Sequence, residues 1–470
     1  MKSRTMALMV IASLTTAGVF AQDWPQWRGP NRDAKASDFK APKSWPKELT
    51  RKWNVTVGEG VATPALVGGK LYVFSRQDDK EVARCLNAAD GKELWLEKYD
   101  SLGASGPAQG FSGPRSSPAV ASGKVVTIGV RGVISCLDAA TGKSVWRKDD
   151  FKTWPNFFPS SSPMIVEGLV IAQLGGRDNG ALVAYDLGTG NEKWKWNGPS
   201  PTYASPVLMT VGGAKLILAQ TESKLIAVNA ADGKLQWELG AESQGGEGGR
   251  GRGMGGGNYK AATPIVDGQT IIIAGRGVKA VKLEKEGDKF VEKELWNNPD
   301  KSVQFNTPSL RAGMLYGLTA NNELFCLNAK DGTLAWSAPF PGGGAGAPRA
   351  AIQRHMADQT FFGQAAPGGQ GEPGPRGPGA PGGPGGPGGR RGGMGGGMGR
   401  AGFGSIIDAG SVLLALTPSA QLIVFEPGDK EFKQLASYKV SEGQTHAHPI
   451  ASGNRIFIKD ADSVTLWTIE

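Results

Sequence analysis

The 470-residue sequence predicts an all-β fold, namely an eight-bladed β-propeller made of four-stranded antiparallel blades. Three observations support this fold: a Gly-x-x-x-Trp element recurs, a Ser/Thr-Pro element precedes six units with degenerate versions before the seventh and eighth, and short β-branched runs bounded by turn residues lie between them. A β-solenoid is the rival fold, but its repeats are usually shorter and its parallel strands lack tight hairpins. Helical periodicity is nowhere sustained, so we expect an all-β protein.

The amino-terminal residues 1–21 are predicted to be an export signal. A basic head containing Lys2 and Arg4 precedes the apolar stretch Met6–Phe20, and small side chains follow it. We expect cleavage between Ala21 and Gln22 and a periplasmic or secreted mature protein. A retained membrane anchor is the alternative, but the apolar stretch is shorter than the about 20 residues that a spanning helix needs. We expect no transmembrane segment in the mature chain.

The segment 49–57 is predicted to complete the last blade. It carries Trp53 and lies before the first Thr-Pro element, whereas the eighth unit runs through 463–469 without a fourth strand. Joining these two segments would remove two unpaired sheet edges. The sequence therefore predicts a ring that is closed by its amino-terminal strand.

Five copies of the Gly-x-x-x-Trp element are predicted to dock neighbouring blades. The glycine would take the positive φ that closes a hairpin, and the tryptophan would fill the gap between sheets with its indole N–H on a backbone acceptor. Blade five ends in a tryptophan after a lengthened loop, and blade seven has none. The predicted docking residues are Trp53, Trp95, Trp146, Trp194, Trp237, Trp296 and Trp336, with Gly91, Gly142, Gly190, Gly233 and Gly332.

These repeats resemble the PQQ-like eight-bladed β-propellers, a superfamily that includes quinoprotein alcohol dehydrogenases and the outer-membrane assembly scaffold BamB. The resemblance covers residues 49–470 apart from two insertions, and it implies the fold more than the function. The stretch Asp23–Asn31 is similar to the leader of secreted PQQ-like repeat proteins. This implies that residues 22–48 strap the amino terminus across the ring.

Catalysis of the dehydrogenase type is disfavoured by the residues that are missing. That branch of the superfamily holds PQQ with calcium, a carboxylate base and a disulfide between adjacent cysteines, and this sequence has no Cys-Cys pair. Cys85, Cys136 and Cys326 occupy one equivalent repeat position, where we expect small, buried and inert thiols. We expect no cofactor and no enzyme activity; the alternative is PQQ with calcium in an alcohol dehydrogenase-like protein.

Two histidines at the start of blade eight are weak candidates for a metal site. His446 and His448 alternate along the chain, so both imidazoles could face the channel, with Asp460 or Asp462 as a further ligand. Hydrogen-bonded residues at the rim of the channel are the favoured alternative, so we predict no metal.

Four arginines follow the second strand of their blades and are expected to gather at one end of the ring. Guanidinium groups around a channel mouth would favour an anion or an acidic peptide. Ordinary solvated loop arginines are the alternative. The candidates for contact with a ligand or partner are Arg76, Arg131, Arg177 and Arg276.

Two Gly-rich insertions, 240–257 and 339–402, are expected to be disordered loops on the propeller surface. The formal net charge is +9, but no basic run with interleaved aromatic residues is present, so we expect no nucleic-acid partner.

Taken together, these residues predict a monomeric, non-catalytic binding or scaffold module of the cell envelope, whose partner is another envelope protein or a peptide. A quinoprotein-like oxidoreductase with a degenerate site is one alternative. The other is a polysaccharide or surface-binding module, which depends on the aromatic residues Tyr203, Tyr259 and Phe157.

Overall fold

The computed structural model describes residues 22–240, 261–319, 321–340 and 403–470. These residues form eight four-stranded antiparallel sheets, and the first strands of several neighbouring blades contact each other around a central channel. The chain is an eight-bladed β-propeller, as predicted. The signal segment 1–21 lies outside the described residues, and no helix in the described part of the chain is long and apolar enough to cross a membrane.

The first strand of the chain, β1, is Thr50–Thr56. Blade 1 comprises β2 to β5: Ala65–Val67, Lys70–Gln77, Lys80–Asn87 and Glu93–Asp100. A short 3₁₀ helix, Gly106–Ala108, follows it. Blade 2 comprises β6 to β9: Ala119–Ala121, Lys124–Ile128, Ile134–Asp138 and Ser144–Lys148. Blade 3 comprises β10 to β13: Met164–Val166, Leu169–Leu174, Gly180–Asp186 and Glu192–Gly198. Blade 4 comprises β14 to β17: Val207–Val211, Ala214–Gln220, Lys224–Asn229 and Leu235–Gly240.

Blade 5 comprises β18 to β21: Ile265–Asp267, Thr270–Ala274, Val278–Glu286 and Lys289–Asn298. Blade 6 comprises β22 to β25: Ser309–Arg311, Met314–Leu318, Glu323–Asn328 and Leu334–Pro339. Blade 7 comprises β26 to β29: Ser405–Asp408, Leu413–Leu416, Gln421–Glu426 and Lys433–Lys439. Blade 8 comprises β30 to β32, Ile450–Ser452, Arg455–Lys459 and Ser463–Thr468, and is completed by β1.

The ring is closed by the amino-terminal strand, as the sequence predicted. Strand β1 pairs antiparallel with β32 from Thr50 opposite Thr468 to Thr56 opposite Ser463, with a bulge between Arg51 and Trp53. The pairing gives β32 a second hydrogen-bonded neighbour. The two ends of the propeller chain therefore share one sheet.

Six of the seven docking tryptophans pack on the hairpin turn of the next blade, not on the turn that precedes them in sequence. A Cβ built on Gly142 would lie 2.4 Å from Cε3 of Trp95, which belongs to blade 1. The indole N–H groups donate to backbone carbonyls in these turns, at 2.8–3.3 Å: Trp53 to Ala88, Trp95 to Ala139, Trp146 to Leu187, Trp194 to Ala230, Trp296 to Ala329, and Trp336 to Gly428.

Blade 5 departs from this docking pattern. In place of the predicted lengthened loop it has a long hairpin, β20–β21, paired from Val278 opposite Asn298 to Glu286 opposite Lys289. The indole N–H of Trp237 donates to the carboxylate of Glu292 at 2.6 Å, whereas the sequence analysis expected a backbone acceptor. The blade 4–blade 5 contact therefore uses a side chain where other blades use the main chain.

The Gly-rich insertions fall mainly on residues outside the described part of the chain, 241–260 and 341–402. Their predicted first residues do not lie in loops. Gly240 is the last residue of β17, and Pro339 is the last residue of β25.

The Ser/Thr-Pro elements form a belt of hydrogen bonds around the inner end of the blades. In each bond, the backbone N–H of one blade donates to the hydroxyl of the next blade, at 2.9–3.0 Å. The bonds run from His448 to Thr63, Thr63 to Ser117, Ser117 to Ser162, Ser162 to Ser205, Ser205 to Thr263, and Thr263 to Thr307. We call these residues the hydroxyl belt. The hydroxyl of Ser405 in blade 7 is buried and has no hydrogen-bond partner among the described residues.

Candidate functional site

The two ends of the channel are built from different parts of the chain. At one end, the turn face, each blade makes the turns between its first and second and between its third and fourth strands. At the other end, the loop face, the first strands begin and the connections between blades lie. The candidate site is the channel itself, with its contents and its mouth on the loop face.

Residues 22–48 cross the turn face. Trp24 exchanges backbone hydrogen bonds with Leu66 of blade 1, and Lys40 N–H donates to Gly453 O in blade 8. Between these anchors, Ala36 N–H donates to Asp408 O in blade 7. This segment therefore joins blades that are far apart in sequence.

Two arginines of this segment, Arg28 and Arg32, reach into the channel. Both are buried, and their guanidinium groups donate to backbone carbonyls at the inner ends of three blades. The acceptors are Thr307 O (2.9 Å) and Pro308 O (2.8 Å) for Arg28, and Pro206 O (2.8 Å), Pro163 O (2.9 Å) and Ser162 O (3.0 Å) for Arg32. These arginines were not among the predicted site residues, because they lie in a leader outside the repeat.

Both channel arginines keep their charge at neutral pH. Burial lowers the pKa of Arg28 to about 10, although the charge of Asp33 partly offsets this, and burial lowers the pKa of Arg32 to about 9. The carbonyl oxygens replace the water that a guanidinium loses on burial. The two side chains thus reach from the turn face to the level of the hydroxyl belt and cross-link blades 3, 4 and 6.

His448 lies near Arg28 as a neutral imidazole. Burial, and to a smaller degree the charge of Arg28, lower the pKa of His448 to about 3. Its ring meets the ring of Trp27 edge-on at 5.6 Å, and its backbone N–H belongs to the hydroxyl belt. Its Nδ1 atom is buried and has no hydrogen-bond partner among the described residues.

The mouth of the channel on the loop face carries an arc of aromatic rings. Phe305 stacks on Phe403 with centroids 4.3 Å apart, and Phe403 meets the ring of His446 edge-on at 5.3 Å. Phe111 meets the other side of His446 at 4.9 Å. We call Phe305, Phe403, His446 and Phe111 the aromatic arc.

A half-buried cation, Arg115, completes the mouth. Its guanidinium donates to Phe111 O (2.8 Å) and Ala108 O (3.2 Å). Burial lowers the pKa of Arg115 to about 10, and the nearby Tyr203 opposes that shift. The Tyr203 hydroxyl accepts a hydrogen bond from the backbone N–H of Phe157 at 3.2 Å. The mouth therefore combines a positive charge with several aromatic surfaces.

Residues of the mouth share one repeat position that sequence analysis missed. Arg115, Tyr203, Phe305, Phe403 and His446 each lie two residues before the Ser, Thr or His at the belt position of their own blade. Because belt residues occupy equivalent places around the channel, residues at a fixed offset from them also gather there. The fixed spacing from Ser/Thr-Pro was the signal that could have found the mouth.

The four arginines selected from sequence do not form one free cluster. Arg76 is buried and donates to Asp79 Oδ1 (3.1 Å) and to the carbonyl oxygen of Ser101. Arg131 donates to Gly103 O (3.1 Å) and lies over the Trp154 ring at 4.9 Å. Both guanidinium groups thus hold the blade 1–blade 2 connection in place. Arg177 and Arg276 are exposed, in blades 3 and 5.

The candidate metal ligands serve separate structural contacts. The His446 ring contacts Phe111 and Phe403, whereas the His448 ring contacts Trp27. Asp460 accepts hydrogen bonds from the hydroxyls of Ser441 (2.6 Å) and Ser463 (2.8 Å), and from the backbone N–H groups of residues 462 and 463. Among the described residues, no three His, Cys, Asp or Glu side chains are grouped so that they could hold a metal ion.

The three cysteines are free and buried. Burial is the main cause that raises the pKa of Cys85 to about 11, and those of Cys136 and Cys326 to about 12. A thiol with a raised pKa holds little thiolate at neutral pH and is a poor nucleophile.

Comparison with known proteins agrees with this architecture. Residues 78–338 match the family described as outer membrane protein assembly factor BamB. The chain belongs to this family. A 116-residue stretch is 34% identical to an outer membrane protein assembly factor BamB of Xanthomonas campestris pv. campestris, covering 24% of this chain and 28% of that protein. Another relative, a quinohemoprotein alcohol dehydrogenase of Comamonas testosteroni, is 31% identical over 161 residues, covering 32% of this chain and 22% of that protein.

A solved BamB structure from Moraxella catarrhalis superposes with a TM-score of 0.54 at 12% identity, covering 89% of this chain and 99% of that one. At this identity the likeness shows the fold alone. The two sequence matches span less than a third of each relative's own length.

The residues at the mouth do not suit PQQ with calcium. Calcium needs several oxygen ligands, whereas the side chains around the mouth are aromatic or cationic. Of the carboxylates in the connecting segments of this face, Glu59 accepts a hydrogen bond from the Ser112 hydroxyl and Asp460 holds its own turn. The mouth residues named above therefore do not supply the set of oxygen ligands that calcium needs.

Proposed function

We propose that the protein is an exported, non-catalytic propeller that binds another protein or a peptide of the cell envelope at its loop face. One observation carries this proposal: the two ends of the channel differ. The segment 22–48 covers the turn face and sends Arg28 and Arg32 into the channel as far as the hydroxyl belt, whereas the aromatic arc and Arg115 surround the mouth on the loop face. A ligand would therefore contact the mouth on the loop face, and not the turn face, which residues 22–48 cross.

The chemistry of the loop face favours a protein or peptide partner. Aromatic residues and arginine are enriched in the buried centres of protein interfaces. Next to the mouth, the connection between blades 1 and 2 exposes two large apolar side chains, Leu102 (67% exposed) and Phe111 (40% exposed). Arg131 anchors this connection through Leu102 O and Gly103 O, so the apolar side chains are presented on a held loop.

The titratable groups near the channel favour a binding role over catalysis. The pKa of His448 is too low for proton exchange near neutral pH, and the carboxylate of Asp460 is fully occupied in a turn. We propose that the protein works without a cofactor, and that export with removal of residues 1–21 places it in the periplasm or outside the cell.

Site-specific photo-cross-linking in cells tests the binding role. A photoreactive phenylalanine in place of Phe111 on the loop face should capture a defined envelope protein. The control position is Ala89, which is exposed in a hairpin turn on the turn face. Identical products from both positions, or small-molecule adducts alone at position 111, would count against the proposal.

Reconstitution tests the cofactor-free role. The purified protein, incubated with PQQ and calcium, is expected to show no dye-linked oxidation of alcohols. Sustained alcohol oxidation would overturn the non-catalytic role and establish the quinoprotein alternative.

A further inference from the structure

Gln22, the first described residue, is held through its backbone and its side chain. Its carbonyl oxygen accepts a hydrogen bond from the Ser452 hydroxyl at 2.8 Å. Its side-chain Oε1 accepts from the backbone N–H groups of Ser37 (2.7 Å) and Asp38 (3.3 Å). Its backbone nitrogen donates to Oδ2 of Asp38. Gln22 would be a chain end after the proposed cleavage, and a terminus is ordered only where something ties it down.

The carboxylate of Asp38, which accepts the hydrogen bond from the Gln22 nitrogen, can accept a further hydrogen bond. The Oδ1 atom of Asp38 is buried and has no hydrogen-bond partner among the described residues. A buried carboxylate oxygen that lacks a donor costs free energy. Arg455 is near enough to interact electrostatically with Asp38, but the contact gives it no hydrogen bond. A peptide N–H at Gln22 supplies one proton, whereas a free α-ammonium supplies three protons and a full positive charge.

We propose that Asp38 is a binding site for the α-ammonium group of Gln22, which proteolytic processing after Ala21 creates. The inference depends on the proposed export and cleavage of the chain. The backbone N–H groups of Ser37 and Asp38 and the hydroxyl of Ser452, which bind other atoms of Gln22, form the rest of this amino-terminal cradle. The charged pair secures the start of the segment that carries Arg28 and Arg32 into the channel, so removal of the signal would tighten the strap.

A chain with a defined first residue tests the cradle independently of export. A fusion protein is cut with a protease that leaves Gln22 as the first residue. The control is the same chain with Gly-Ser retained before Gln22. We expect the free-amine chain to have an unfolding equilibrium constant about fivefold smaller than that of the extended chain, as for a charge-assisted hydrogen bond that is partly exposed. Equal constants would overturn the proposal.

Two variants distinguish an ion pair between the Gln22 ammonium and Asp38 from a general effect of the added Gly-Ser. In Asp38→Asn the advantage of the free amine should disappear, because the charge of the acceptor is gone. In Asp33→Asn, which changes a strap carboxylate paired with Lys35, the advantage should remain. An advantage that survives in Asp38→Asn would mean that Asp38 does not bind the ammonium.

The pH dependence supplies a second readout. An ammonium bound by a carboxylate is stabilised below the pH at which it loses its proton in the unfolded chain, and the gain is lost as the folded group deprotonates. The advantage of the free-amine chain should therefore shrink at alkaline pH, with Asp38 and Arg455 as the charged groups beside it. A pH-independent advantage would contradict an ion pair.

Sequencing of the secreted protein addresses processing separately. The expected amino terminus is Gln22 with a free amine. A terminus elsewhere would refute the proposed cleavage even if the defined chain shows the cradle. A terminus cyclised with loss of ammonia would overturn the role of the ammonium in the exported protein, because the lactam has no charge.

Discussion

Substituting Gly142 by alanine should disrupt the contact between blades 1 and 2 far more than an equivalent change nearby. Gly142 has a φ of +73°, and an added Cβ would lie 2.4 Å from Cε3 and 2.6 Å from Cδ2 of Trp95. Gly123, in the same blade, has a φ of +70°, but an added Cβ would meet nothing within 4 Å. The two substitutions share the backbone strain, and only Gly142→Ala adds the clash.

The expected losses in the free energy of unfolding follow from the backbone strain and from the clash with Trp95. A non-glycine residue in the left-handed region costs about 1 kcal/mol, and Gly123→Ala should cost no more. Moving the Trp95 ring adds about 1–3 kcal/mol for overpacking. Weakening its 3.1 Å hydrogen bond to Ala139 O adds about 1 kcal/mol. We therefore expect Gly142→Ala to lower the free energy of unfolding by about 3–5 kcal/mol.

Urea denaturation, followed by tryptophan fluorescence, measures both variants against the natural protein. The midpoint for Gly142→Ala should fall well below that for Gly123→Ala. If the two midpoints coincide, the close packing of glycine under the tryptophan does not stabilise the ring, and the docking argument fails.

Three further predictions concern the belt, the channel and a buried carboxyl. Arg32→Met leaves several channel carbonyls without a donor and should cost about 3 kcal/mol or more in thermal or urea unfolding; an unchanged stability would contradict the cross-linking role. Thr63→Val removes the acceptor for His448 N–H and should cost about 1–3 kcal/mol, whereas Ser405→Ala should change stability by less than about 0.5 kcal/mol. Burial raises the pKa of Glu81, so its contribution to stability is present below the ordinary glutamate pKa and is lost as pH rises through the raised value. Glu81→Gln should flatten that decline in a pH series of unfolding midpoints, and an identical slope in both proteins would refute the assignment.

The ring could be derived from sequence because each of its parts repeats. The spacing of glycine and tryptophan, the Ser/Thr-Pro elements and the displaced segment 49–57 together give the number of blades and the closing strand. The partners of the repeated residues could not be derived in the same way. Gly142 and Trp146 are neighbours in sequence, yet Gly142 packs on Trp95, since docking occurs between blades.

The contents of the channel could not be predicted, because they come from residues outside the repeat. Arg28 and Arg32 lie in a leader whose path over the turn face depends on backbone hydrogen bonds to blades 1, 7 and 8. The four arginines that repeat position selected instead are engaged by their own loops or exposed at separate blades. The mouth could be located only in part. Its residues share one position in the repeat, which the sequence shows, but their side chains differ from blade to blade and so form no recognisable motif.

The pairing of β1 with β32 has a consequence for how the protein matures. Residues 50–56 pair with 463–468, so the strand pairing with the greatest sequence separation is also the one that closes the ring. Such non-local pairing makes folding slow. Because a chain is synthesised from its amino terminus, the first strand is made early and stays unpaired until the carboxyl terminus follows. In that interval its exposed edge is available to chaperones or to other chains.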